Sequence, residues 1–215
     1  MISVLLADDH SLMREGLRSL FAGRADMTIV ADAANGRTAL ALALKHKPDI
    51  IIMDVSMPDM NGIEATKQIL AQLPTAKIIA LSIHSDYRFV AGMYKAGAQG
   101  YVLKDNVFEQ LLDAVKTVLA GHRYICPGLA DVVVESLTAP AGGHSALLDK
   151  LTSRERQTLQ MLAEGNSLKR IALQLGISVK TVETYRHNIG RKLGLSTLAE
   201  VIRFALREGI VSLDP

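Results

Sequence analysis

A single cysteine, Cys126, is all that 215 residues contain. One thiol cannot build an internal disulfide framework, and so sparse a usage suits a reducing compartment. Cys126 is read as a small apolar packing residue. Long apolar runs are also missing. Although 49% of the residues are hydrophobic, no stretch approaches the roughly 18 uninterrupted apolar residues of a membrane span. The chain opens directly on SVLLADD, without a basic segment followed by a cleavable apolar one. These absences point to a soluble, cytoplasmic protein with no membrane partner. The length allows one large domain or two modest ones, each with its own core.

The net charge of +2 is small but unevenly spread. Residues 1–126 carry 13 Lys+Arg against 13 Asp+Glu, whereas residues 149–215 carry 11 against 7. A basic end on a neutral body suggests a polyanionic partner for the C-terminal part alone. Charge by itself leaves that suggestion weak.

In the first 120 residues short apolar runs alternate with amphipathic stretches. Strands are expected over 3–8, 27–33, 49–54, 77–82 and 98–103, and helices over 12–21, 37–45, 62–70, 87–97 and 106–119. Five strands alternating with five helices predict an α/β, doubly wound, five-stranded parallel sheet covered on both faces. Gly97 and Gly121 stand where helix C-caps belong, and Pro48 and Pro74 follow helices they cannot continue. Near Tyr124 the alternation stops. One short helix is expected over 127–138, then APAGGHSA (139–146) as a flexible linker. From 149 onward the pattern is all-α with four short helices. Two of them open on capping boxes, Thr152-x-x-Glu155 and Thr197-x-x-Glu200. The expected division is 1–122, a linker over 123–148, and 149–215.

The stretch IIIMDVSMPDMNG (50–62) carries an apolar run into a terminal acid, Asp54, and then into a turn. In a doubly wound sheet the crevice lies beyond the carboxyl ends of strands one and three. Strand one ends in Asp8 and Asp9, and strand three in Asp54, so three carboxylates from distant positions meet at one place. Unrelieved, they would repel and raise at least one pKa. A hard divalent cation such as Mg²⁺, which takes carboxylate, water and phosphate oxygens, removes that conflict. Strand four ends in Ser82, and strand five leads to Lys104, an ammonium on a flexible stem. Three acids, a hydroxyl and an ammonium suit a carboxylate nucleophile that accepts a phosphoryl group.

VLLADDH, IIMDVSMPDMNGIEA, IIALSIHSD and GYVLKD, in this order, resemble the four motifs of a response-regulator receiver domain of flavodoxin-like fold. The resemblance implies that Asp54 is the phosphoacceptor and that Asp8 and Asp9 hold Mg²⁺ with Asp54 and the backbone carbonyl of Ser56. It implies that Ser82 is the switch hydroxyl and Lys104 the phosphoryl-contacting lysine. Tyr101 matches an aromatic switch position and reads equally well as a packing residue of strand five. Ser56 and His84, beside the pocket, are where control of the phosphoryl lifetime would lie.

In VKTVETYRHNIGRKL (179–193), Lys180, Glu183, Thr184, His187 and Arg191 fall on one arc at 100° per residue. Val182, Tyr185, Ile189 and Leu193 fall opposite, with Arg186 and Lys192 on the flanks. A short helix ending at LGIS precedes it, which makes a helix-turn-helix arrangement. The outer arc, with Thr181, would face base edges, and Arg186 and Lys192 would meet phosphates of double-stranded DNA. Residues 151–195 resemble the LuxR-type helix-turn-helix of the NarL/FixJ response regulators. Leu168, Arg170, Glu183 and Tyr185 depart from the commoner residues, which puts the target sequence in doubt but not DNA binding.

The whole resembles a phosphorylation-dependent transcription regulator of the two-component type. The resemblance implies a sensor histidine kinase as phosphodonor, a homodimer on activation, and RNA polymerase as a further partner. Ile202, Ala205 and Leu206 on the last helix are candidates for dimer pairing or for packing within their own domain. Three other readings compete with it. A haloacid-dehalogenase-type phosphatase would carry D-x-D on strand one, where this chain has adjacent Asp8-Asp9. An inert dimerisation scaffold would not need the five-residue polar set. An autoinducer-binding LuxR protein would lack the acidic pocket. The chain is therefore not expected to be an enzyme beyond its own phosphorylation and dephosphorylation.

Overall fold

A computed structural model describes residues 1–130 and 147–211, which form two compact units. In the first unit the elements alternate without exception: β1 (Ile2–Ala7), α1 (Ser11–Ala22), β2 (Met27–Ala33), α2 (Gly36–His46), β3 (Ile50–Asp54), α3 (Gly62–Gln72), β4 (Ile78–Ser82), α4 (Tyr87–Ala96), β5 (Gly100–Leu103), α5 (Val107–Leu119) and β6 (Tyr124–Ile125). The strands lie in the order β2-β1-β3-β4-β5-β6, all parallel. β1 and β3 are neighbours, so their carboxyl ends share the crevice that the strand pattern implies.

The apolar runs are continuous because both faces of the sheet are covered. Within β3, successive side chains go to opposite cores. Ile51 and Met53 pack with Ala39, Ala65, Ile69 and Met93, while Ile50 and Ile52 pack with Leu17, Phe21, Leu111 and Val115. Every residue of β3 and β4 is buried. Each buried Ile, Leu or Met side chain among them contributes roughly 1.5–3 kcal/mol.

The sheet has six strands, where the sequence pattern predicts five. Tyr124 and Ile125 pair with Gly100 and Tyr101 at the edge of β5, and the Tyr94 hydroxyl donates to the Tyr124 carbonyl at 2.5 Å. Two residues are too few to show a period of two, so this strand is invisible to patterning. Residues 127–129 form a single 3₁₀ turn. Residues 131–138 of the helix expected over 127–138, and the linker at 139–146, lie outside the described residues.

The second unit comprises α6 (Ser153–Ala163), α7 (Leu168–Leu175), α8 (Val179–Leu193) and α9 (Leu198–Arg207). Both expected capping boxes are formed, Thr152 with Glu155 and Thr197 with Glu200. Ser167 and Ser178 cap α7 and α8. Gly176, at φ 66°, makes the tight turn between them in a left-handed conformation that costs glycine little. Leu159, Met161, Ile171, Val182, Ile189 and Phe204 are the centre of this core. Among the described residues no helix is long and apolar enough to cross a membrane.

Candidate functional site

β1 delivers Asp8 and Asp9 to the crevice, and β3 delivers Asp54 beside them. The loop after Asp54 is held by its own methionines, since Met57 and Met60 are buried in the core under α2 and α3. Asn61 then caps α3 by accepting the Glu64 N–H at 3.0 Å. Gly62 has no room for a side chain. A Cβ there would stand 2.0 Å from the Asp54 carbonyl oxygen, so glycine lets α3 begin directly against the acid.

Asp8 and Asp54 are 1% and 2% exposed. Lys104, reaching in from the end of β5, places Nζ 2.8 Å from Asp8 Oδ2 and 2.8 Å from Asp54 Oδ2. The Ser56 N–H donates to Asp54 Oδ1 at 3.2 Å. Burial, helped by the charge of Asp8, pushes the Asp54 carboxyl up to about 7, against the pull of Lys104 and the Ser56 N–H. Burial alone would lower the pKa of the Lys104 ammonium, but Asp54 and Asp8 outweigh it and hold that pKa above its ordinary value.

Ligand atoms of Asp8, Asp9, His10 and Asp54 all lie within 4.8 Å of one another. Asp9 Oδ1 is shielded from solvent and receives no hydrogen bond. An acidic pocket of this kind, with an unsatisfied buried oxygen, fits a hard divalent cation that accepts carboxylate ligands. His10 completes the cluster, although the sequence reading did not single it out. The signal was its place directly after the acidic pair.

The switch positions sit on the same edge. Ser82 is fully buried at the end of β4, and its Oγ accepts the His84 N–H at 3.0 Å. The Tyr101 ring is fully buried, and its hydroxyl donates to the His84 carbonyl at 2.9 Å. The His84 ring stacks on Phe89 with centroids 4.1 Å apart. Its Nε2 lies 3.1 Å from Ser56 Oγ. One residue, His84, thus joins the loop after β3, the end of β4 and strand β5.

In the second unit α8 presents Lys180, Glu183, Thr184, Arg186, His187 and Arg191 as exposed residues, with Thr181 half-buried near the cap. Val182 and Ile189 are its buried anchors. Lys192 does not stand free on the flank. Its Nζ lies 2.6 Å from Oε2 of Glu155, the acid of the α6 capping box. Burial raises that carboxyl, but Lys192 and Thr152 together hold it below its ordinary value. On α9 the candidate pairing residues separate. Ala205 is fully buried. Ile202 and Leu206 are half-buried.

Residues 4–116 match the family described as the response regulator receiver domain, and residues 149–205 match the bacterial regulatory proteins of the luxR family. The chain is 38% identical over 212 residues to the uncharacterized transcriptional regulatory protein YxjL of Bacillus subtilis, covering 98% of this chain and 97% of that protein. It is 36% identical to the response regulator GacA of Pseudomonas aeruginosa, covering 98% of each. A crystal structure of a LuxR-family two-component response regulator from Aurantimonas superposes with a TM-score of 0.62 at 34% identity. That match covers 65% of this chain and 99% of the other. Sequence, fold and site lead to one family: the chain belongs to the two-component response regulators of the NarL/FixJ type, with a receiver domain followed by a LuxR-type DNA-binding helix-turn-helix domain.

Proposed function

We propose that this regulator is switched by phosphorylation of Asp54 and acts as a cytoplasmic, operator-binding dimer. The observation that carries the reading is the convergence of Asp8, Asp54 and Lys104 at ion-pairing distance. In the phosphotransfer step an Asp54 carboxylate oxygen attacks the phosphorus of a phosphohistidine on a sensor kinase. The P–N bond breaks, and the imidazole leaves with the electron pair and takes up a proton. Asp8, Asp9, Asp54 and the Ser56 carbonyl would hold Mg²⁺, which when bound supplies positive charge beside the phosphoryl oxygens. Lys104 exchanges its contact with the free carboxylate for one with a phosphoryl oxygen, and the Ser82 hydroxyl donates to another.

The added charge acts on a loop that is already tied together. Ser82, His84 and Tyr101 share one hydrogen-bonded chain, so drawing Ser82 toward the phosphoryl group changes what His84 and Tyr101 can bond. That bias on the receiver permits dimerisation, with Ile202 and Leu206 as the remaining contact candidates on α9. It likewise permits operator binding, with α8 in the major groove. There Lys180, Thr181, Glu183, Thr184, His187 and Arg191 face base edges while Arg186 meets phosphate. Glu183 as a base reader fits cytosine, whose N4 amino group is a donor. Lys192, held by Glu155, is left out of the contact set.

Intact-mass spectrometry after incubation with acetyl phosphate and Mg²⁺ tests the chemistry. One added phosphoryl group is expected, absent in Asp54→Asn and in an EDTA sample. Unchanged DNA affinity and phosphodonor response in Asp54→Asn would overturn the switch. Steady turnover of small phosphate esters would favour an enzyme instead.

A further inference from the structure

A signal that reaches Tyr101 still needs a route out of the receiver, and the edge of the sheet supplies one. Tyr124 and Ile125 pair as β6 with Gly100 and Tyr101. The Cys126 backbone N–H then donates to the Tyr101 carbonyl at 3.1 Å, and the Leu129 N–H turns back to the Cys126 carbonyl at 3.0 Å. Cys126 and Leu129 are buried in one core with Tyr101, Phe89 and Met93. From α4 the Tyr94 hydroxyl holds the Tyr124 carbonyl, and the Arg123 guanidinium lies 5.7 Å from the centre of the Tyr94 ring, within cation–π range. Residues 124–129 are thus a strap seated on β5, and the chain continues from them toward the helical domain.

Tyr101 holds this strap by its backbone carbonyl and meets the switch by its side chain. Its hydroxyl donates to the His84 carbonyl. Burial raises the pKa of that hydroxyl, and a hydrogen bond with Ser82 opposes the rise. A ring shifted from this position would leave Cys126 and Leu129 against a void or a clash, because interiors are close-packed. The strap is also the part of the sheet that opens at least cost. Two residue pairs join β6 to β5, whereas four join β5 to β4. We infer that residues 124–129 are a releasable strap: phosphorylation draws Ser82 away from Tyr101, loosens Tyr101 in its seat, and lets the strap leave the β5 edge. Release lengthens the connection to the helical domain. The inference rests on the proposal that Asp54 accepts a phosphoryl group.

The chain carries its own probe, since Cys126 is its single thiol and is buried in the strap. Burial also pushes the thiol pKa up, so Cys126 reacts slowly while the strap is seated. The test follows the reaction of the full chain with an aromatic disulfide reagent, before and after incubation with acetyl phosphate and Mg²⁺. Intact mass gives the phosphoryl occupancy of each sample. Cys126 is expected to react about tenfold faster in the phosphorylated chain. Tyr101→Phe, which loses the hydroxyl tie, speeds the unphosphorylated chain about threefold or more. Ile52→Val, in the core on the other face of the sheet, controls for global unfolding and leaves the rate within about twofold. Equal rates with and without a phosphoryl group seen by mass overturn the strap and leave the Asp54 reading standing. Acceleration by Ile52→Val equal to that by Tyr101→Phe also overturns the strap, because the thiol is then exposed by global unfolding. A chain that takes up no phosphoryl group overturns the Asp54 reading, and the release with it.

Discussion

Lys104 Nζ lies 2.8 Å from Asp54 Oδ2, yet Asp54 still holds its proton to about pH 7. The ammonium is shared with Asp8, and burial of the carboxyl outweighs what remains of its attraction. The resting receiver therefore carries electrostatic strain that a cation or a phosphoryl group can relieve.

That strain has a pH signature. Unfolded, the Asp54 carboxyl titrates near 3.8; folded, it titrates near 7. Between these values the folded chain binds more protons, so stability falls as pH rises through the window. Removing the charge should matter increasingly through the window and most above it. Asp54→Asn is expected to raise stability by about 2–4 kcal/mol at pH 8 without divalent cation, with the gain vanishing toward pH 4. Urea melts at both pH values check this, and a pH-independent difference would count against it.

Gly62 is expected to tolerate no substitution. The Cβ of Gly62→Ala would lie 2.0 Å from the Asp54 carbonyl oxygen, and backbone on both sides must then shift. A loss of about 3 kcal/mol is expected, together with slower labelling by acetyl phosphate. Thermal melts and mass spectrometry report the two effects. An unchanged melting temperature would mean that α3 is not seated against the acid.

Tyr101→Phe keeps a fully buried ring and removes its hydroxyl bond to the His84 carbonyl. The cost in stability should be about 1 kcal/mol. The larger effect should appear in function, as a changed ratio of phosphorylated to unphosphorylated DNA affinity. Equal ratios in the two proteins would reduce Tyr101 to its other role, packing on β5.

Two basic residues on α8 should behave oppositely. Lys192→Met leaves buried Glu155 without its cation. It should destabilise the helical domain by about 1–3 kcal/mol. Arg186→Ala, on an exposed position, should leave stability within about 0.5 kcal/mol. Its DNA affinity should drop across all sequences, with a salt dependence shallower by about one unit. Calorimetric melts and binding isotherms at several salt concentrations distinguish these outcomes.

Much of this molecule is written in local pattern. The alternation of apolar runs and amphipathic stretches determines the five longer strands and the helices, because burial on two faces demands continuous apolar residues. Capping boxes at Thr152 and Thr197 and the glycine turn at Gly176 are equally local, since each satisfies backbone groups within a few residues. The strand ends at Asp8, Asp54, Ser82 and Lys104 follow from the same pattern once β1 and β3 are neighbours. What tertiary structure alone decided are contacts between chain-distant groups. β6 exists only because the β5 edge offers it partners. Lys192, expected on the phosphate-facing flank, pairs with Glu155, 37 positions away, and Ala205 is buried by the way α9 packs. The crevice likewise sets the His10 ring nitrogen against two carboxylates. Periodicity reports which face a side chain leaves by; what it meets there depends on packing, where distances of 3 Å are settled by the whole fold.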